Sequence, residues 1–164
     1  SFNDGSGIQV RRSTGTRVIN NTIAENGARG IRVGSGSIAA ENTTVQNNIV
    51  YFSGAVSIDF NVASAATATL SHNLVFPHEY RPLSQTQLPR PTDIDADPEF
   101  IAFANFRLAP DSPAVDAADP ATDAEIRAEL ATRTTSEDGD PDGGALDIGY
   151  HFPPPPPTPT RAPR

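Results

Sequence analysis

The sequence predicts an all-β solenoid: about three coils of short parallel strands, followed by a C-terminal cap that carries one short helix. Three observations predict it. A segment recurs around asparagine: residues 16–33 read TRVINNTIAENGARGIRV, residues 43–58 read TTVQNNIVYFSGAVSI, and a fainter ATLSHNLVF follows. Its asparagines, Asn21, Asn48 and Asn73, are 27 and 25 residues apart. The segments are short, rich in β-branched residues and without helical period, so each repeat holds strands rather than helices.

The strands follow in order. GIQV from Gly7, GIRV from Gly30 and AVSI from Ala55 alternate apolar and polar residues at offsets of 23 and 25. This alignment stacks Ile8, Ile31 and Val56 in one column and Val10, Val33 and Ile58 in another; Gln9, Arg32 and Ser57 take the opposite face. Val18, Val45 and Leu70 each precede the repeat asparagine by three positions, and Ile23, Val50 and Val75 follow it by two. Stacked coils would gather these twelve aliphatic residues into one narrow core. The asparagines are too polar for that core, and belong at bends, where they can adopt left-handed geometry, bond local backbone or form ladders from coil to coil. A sandwich with Asn-rich turns is the competing arrangement, but it does not require near-constant spacing.

Composition narrows the function. The chain has 164 residues and a formal net charge of -8, and all its basic residues are arginine. Such a field repels nucleic acid and anionic lipid, so neither is an expected partner. With Cys 0 there are no disulfides, thiol nucleophiles or thiolate metal sites. No apolar run approaches the ~20 residues of a membrane span, so no membrane insertion is expected. The chain begins at Ser1 and has Met 0, and we expect a processed or excised piece with an export signal upstream.

Three zones organise the chain: coils over 1–76, a final coil and capping region over 77–152, and a proline-rich extended tail over 153–164. The tail PPPPPTPTRAPR favours an extended polyproline conformation and reads as a spacer or recognition peptide. In the cap, Phe100, Phe103, Phe106, Leu108 and Val115 are expected to close the open coil end. ATDAEIRAEL is a short helix with Thr122 as N-cap, Glu125 three residues on, and Ile126 and Leu130 on one face. At the other end Gly7, Ile8, Gln9 and Val10 already read as a strand in mid-repeat. They form an expected assembly edge for a second copy or an upstream coil.

The segments NNTI, NNIV and HNLV are similar to the repeats of the right-handed parallel β-helix superfamily, the fold of pectate lyases and of many bacterial surface proteins. The region from Asp93 to Asp119 resembles the C-terminal segment of bacterial secreted β-helix proteins. The matching positions are Asp97-Pro98 with Phe100, then Phe106-Arg107-Leu108, then Ser112-Pro113-Ala114 with Asp116. Asp138 to Phe152 resembles their terminal strand. The resemblance implies a secreted or cell-surface bacterial protein. It implies no particular activity, since the fold hosts many.

Candidate chemistry is sparse. DGDPDG places Asp138, Asp140 and Asp142 at alternate positions before Gly143, the first half of a calcium loop, which Asp147 would close in place of the missing twelfth-position glutamate. The other reading is a solvated acidic turn. Asp93, Asp95 and Asp97 are a second acidic run, read as a turn before Pro98 and surface residues. Arg32 and Asp59, on outward faces 27 positions apart, could meet across coils as a surface pair or as part of a lyase-like site. No acidic cluster accompanies them, so no catalytic residue is assigned. His72, His78 and His151 are far apart in sequence. A non-catalytic extracellular structural or adhesive module follows from this reading, self-stacking into a fibre or continuing a longer rod. The alternatives are the C-terminal part of a polysaccharide lyase or glycosidase, and a glycan-binding module.

Overall fold

The computed structural model describes residues 3–54, 56–77, 80–82, 91–102 and 105–154. The expectations for Ala55, His78, Phe103 and the tail from residue 155 lie outside them. The first coil is β1 (Ile8–Val10), β2 (Arg17–Ile19) and β3 (Thr22–Ala24). The second is β4 (Arg29–Val33), β5 (Thr44–Gln46) and β6 (Ile49–Tyr51). The third is β7 (Val56–Phe60), α1 (Val62–Ala65), β8 (Thr69–Ser71) and β9 (Leu74–Phe76). A fourth opens with β10 (Tyr80–Pro82). Equivalent strands of successive coils pair in parallel, giving sheets ordered β1-β4-β7-β10, β2-β5-β8 and β3-β6-β9.

The predicted columns are stacked. Val18 pairs with Val45 and Val45 with Leu70. Ile23 pairs with Val50 and Val50 with Val75. Ile8 pairs with Ile31, and Val10 with Val33. These side chains form one buried cluster, with Ile8 packed at its margin. A Leu, Ile or Val side chain removed from water in this way stabilises the fold by about 1.5–3 kcal/mol.

The third strand of the first sheet differs from expectation. Ile58, not Val56, lies beside Ile31, and Phe60, not Ile58, lies beside Val33; Val56 pairs with Arg29. A slip of two residues keeps the alternation, so the sequence pattern does not distinguish the registers. The observed one brings Phe60, 2% exposed, into the core. Ser57, expected on the outer face, is buried. Gly30 has no room for a side chain: a Cβ there would lie 2.2 Å from Val50 Cγ1 and 2.6 Å from the Ser57 carbonyl oxygen.

The bends use left-handed residues. Asn20, Asn47 and His72 stand between the second and third sheets with φ of 52°, 55° and 51°. Asn tolerates this region better than most residues, because its short side chain can bond nearby backbone. Helix α1 fills the corner after β7, and was not anticipated. Its N-cap Asn61 accepts from Ser64 N and donates to the carbonyls of Gly36 and Ile38 in the coil beneath.

The C-terminal region lies elsewhere than predicted. Instead of closing the coil end, it covers the outer face of the third sheet. Ile49 and Tyr51 of β6 and Leu74 of β9 face outward into a second buried cluster with Leu108, Ala114 and Ile148, joined at its edge by Phe100 and Val115. Strand β6 is therefore buried on both faces. Phe106 packs edge-on against Phe100, with ring centroids 5.3 Å apart. Two antiparallel strands, β11 (Phe100–Ala102) and β12 (Arg107–Leu108), belong to this region. So does α2 (Ala124–Leu130), whose N-cap is Asp123 rather than Thr122. Thr122 is instead a buried linchpin, donating to the Asp119 carbonyl and accepting from Asn47 Nδ2 at 2.8 Å. Ile126 and Leu130 are only half-buried. Residues 138–151 form no strand; they dock through Ile148 N to Ala114 O and Gly149 N to Asn47 O.

Candidate functional site

Stacking the coils places the three repeat asparagines directly over one another. Asn21 donates through its backbone N (3.1 Å) and Nδ2 (2.9 Å) to Asn48 Oδ1. Asn48 donates in the same way to Asn73 Oδ1, at 3.1 and 3.0 Å. Asn48 and Asn73 are fully buried. Their Nδ2 groups also donate to the carbonyls of Val18 and Gln46, and of Val45 and Ser71. Each side chain satisfies backbone groups of its own bend and of the coil before it, so polar atoms persist in an apolar setting.

The ladder has a fourth rung that the sequence reading missed. Asn73 donates through N (2.8 Å) and Nδ2 (3.3 Å) to Asp93 Oδ1. His72 N donates to Thr92 Oγ1, and Ile94 bridges Leu74. Thr92-Asp93-Ile94 thus repeats Asn47-Asn48-Ile49 and His72-Asn73-Leu74. A spacing of 20 and an Asp for an Asn hid it.

At the opposite end β1, β2 and β3 are the outermost strands of their sheets. Gly7, Ile8, Gln9 and Val10, the expected assembly edge, lie here. Among the described residues no strand pairs with their outer edges, and none donates to Asn21 Oδ1. Val10, Val18 and Ile23 of the buried core lie in these edge strands.

The outer face of the first sheet brings Arg32 beside Asp59, as the sequence indicated. Asp59 Oδ2 lies 2.6 Å from Arg29 Nε and 3.5 Å from Arg32 Nε. One carboxylate between two guanidiniums is an ion-pair cluster, and acid–base work by a carboxylate pair would need a second one.

The expected calcium loop is differently organised. Asp142 Oδ2 lies 2.6 Å from Nε2 of the buried His151 and accepts from Asp147 N. Asp147 accepts from Asp116 N and from the Thr135 hydroxyl. Asp138 accepts from Ser136 and from Asp140 N. Asp138, Asp140, Asp142 and Asp147 therefore do not converge: among the described residues, no group of three or more His, Cys, Asp or Glu is disposed to hold a metal ion. Burial raises the Asp147 carboxyl above its usual range, outweighing its two donors.

Asp119 secures the C-terminal region to the coils. Its carboxylate accepts from Gln46 Nε2 at 2.7 Å and Ser71 Oγ at 3.1 Å, and His72 Nδ1 lies 3.2 Å away. Burial pulls its pKa upward, but Ala121 N, Gln46, His72 and Ser71 together hold it below the ordinary value. A lowered carboxyl pKa contributes stability above the unfolded-state value and loses it as pH falls through the folded one. Asp147 has the opposite sign: it costs stability near neutrality, and protonation relieves the cost. Asp119→Asn should lower the urea midpoint at pH 7 and flatten its decline below the ordinary aspartate range. A parallel decline in variant and wild type would contradict this.

Coils in parallel register, an aliphatic column and a turn ladder define a parallel β-helix protein. A family model described as right handed beta helix region matches residues 1–84, just over half of the chain. The chain belongs to this right-handed β-helix family. No curated protein and no solved structure matches it.

Proposed function

We propose that the chain is a non-catalytic structural or adhesive module of a secreted or cell-surface bacterial rod, and that its N-terminal face receives another parallel coil. One observation carries this reading: among the described residues all three sheets end on unpaired edges at the same end, and the core runs up to that end. Unpaired edges beside an apolar core are a template for strand addition. The ion-pair cluster at Asp59 supports no reaction by itself, and the loop aspartates are engaged in holding the C-terminal region.

A glycan-binding role is the second reading. It is favoured by a cleft of about 280 Å³ lined by Glu25, Asn26, Gly27, Phe52 and Gly54, with Phe52 51% exposed. Aromatic walls with adjacent polar groups suit sugar rings.

Hydrogen exchange on the purified chain tests the first reading. The amides of β1, β2 and β3 that face away from the second coil should exchange fast, while those of β4 to β6 stay protected. Uniform protection would overturn it. Incubation with acidic polysaccharides should release no unsaturated product.

A further inference from the structure

We infer that the folded chain presents one acceptor for an N-linked sugar, Asn42, and that its second acceptor triplet, at Asn20, is closed by the docked C-terminal region. An N-linked sugar is added to the asparagine of an Asn-x-Ser/Thr triplet in which x is not proline. The chain has two such triplets, Asn20-Asn21-Thr22 and Asn42-Thr43-Thr44. Their sequences do not separate them, but their surroundings do.

At Asn20 the amide and the hydroxyl two residues on are both engaged. Asn20 is 7% exposed. Its Nδ2, the atom that would bond the sugar, donates to the carbonyls of Asp147 at 3.2 Å and Gly149 at 3.4 Å. Its Oδ1 accepts from Asn47 Nδ2. Thr22 Oγ1 accepts from Tyr150 N at 3.1 Å. A sugar on Asn20 would have to displace the segment from Asp147 to Tyr150.

Asn42 is the opposite case. It is exposed at the corner between β4 and β5, with a left-handed φ of 50°. Among the described residues neither its side-chain amide nor the Thr44 hydroxyl has a hydrogen-bond partner. Thr44 lies on the face of β5 opposite the core residue Val45. The corner is held by its backbone instead: Asn42 N donates to Thr67 Oγ1 and Thr44 N to the Thr16 carbonyl. The equivalent position of the first coil is Gly15, and no described atom lies within 4 Å of where its Cβ would stand. A bulky polar group therefore fits at this corner and breaks no contact that the coils use. The first coil separates Asn42 from the N-terminal edges, so the site is independent of docking there.

The donor is a nucleotide-activated hexose. Asn42 Nδ2 bonds to the anomeric carbon as the bond from that carbon to the diphosphate oxygen breaks. The nucleoside diphosphate leaves, and one Nδ2 proton passes to a base of the transferase.

The test incubates the folded full chain with a triplet-reading N-glycosyltransferase and UDP-glucose. Peptide mapping by mass spectrometry should find one hexose, on Asn42. Addition at Asn20 should be slower by at least about a hundredfold, the worth of three hydrogen bonds. Asn42→Gln should abolish the addition. Thr44→Ala, which keeps the asparagine at its left-handed corner, should do the same. Free peptides carrying each triplet should be modified at similar rates, which assigns the selectivity to the fold. Chain recovered from the cells that make it should carry the sugar at Asn42 and none at Asn20. Four results would each overturn the inference: an unmodified Asn42 in the folded chain, ready addition at Asn20, the same selectivity in the free peptides, or an unmodified Asn42 in the native material.

Discussion

Asn48→Ala should destabilise the fold by about 3–5 kcal/mol, among the largest effects available to a single substitution in this chain. Asn48 is fully buried and is the ladder's central rung. Its removal strands acceptors at the Val18 and Gln46 carbonyls, and donors at Asn21. Each buried unpaired group costs about 1–3 kcal/mol. Asn48→Asp should be at least as damaging, despite its equal size. The new oxygen would face the carbonyls of Val18 and Gln46 and the Asn73 side-chain oxygen, three acceptors. Urea denaturation gives both numbers. A cost below about 1 kcal/mol for Asn48→Ala would mean that the ladder is incidental to stability.

Phe60→Ala should cost about 3–5 kcal/mol, the range for a large aromatic removed from a packed core. Phe60 is 2% exposed and stacks on Val33, so the cavity opens inside the coil rather than at its surface. A solenoid this narrow has few neighbouring side chains able to collapse into the gap. Val62→Ala, two residues on but 57% exposed, is the control and should change stability by no more than about 0.5 kcal/mol. The pair also tests the register. Had Val56 stacked on Ile31, Phe60 would lie beyond the column and its loss would be mild.

What could be read from the sequence was what repeats locally. The spacing of Asn21, Asn48 and Asn73 reports coil length, and aliphatic residues at fixed offsets from them report the core. The register of β7 was not legible, because a shift of two preserves parity and Val56, Ile58 and Phe60 all suit a buried strand. The route of the C-terminal region was not legible either. Its anchors join Asn20 to Asp147 and Asn47 to Thr122, 127 and 75 residues apart, and no local periodicity encodes such contacts. Strand β6 held the available clue. Ile49, Val50 and Tyr51 are apolar on both faces, which an exposed outer sheet does not need.

The loop aspartates make a related point. Alternate carboxylates specify a cation site only if other groups leave them free. His151 and Thr135, nine and twelve residues from their partners, engage Asp142 and Asp147 instead. The fourth rung was concealed by the opposite problem. Asp93 sat in an acidic run that reads as surface, while its position in the coil gave it an asparagine's place in the ladder.

Methyl–methyl nuclear Overhauser effects in the full chain address the stacking itself. Coils sharing one column should give cross-peaks from Ile8 to Ile31, from Ile31 to Ile58, and along Val18, Val45 and Leu70. Absence of all three series, or contacts of Ile31 with Val56 in place of Ile58, would contradict the architecture on which the ladder and the open N-terminal face depend.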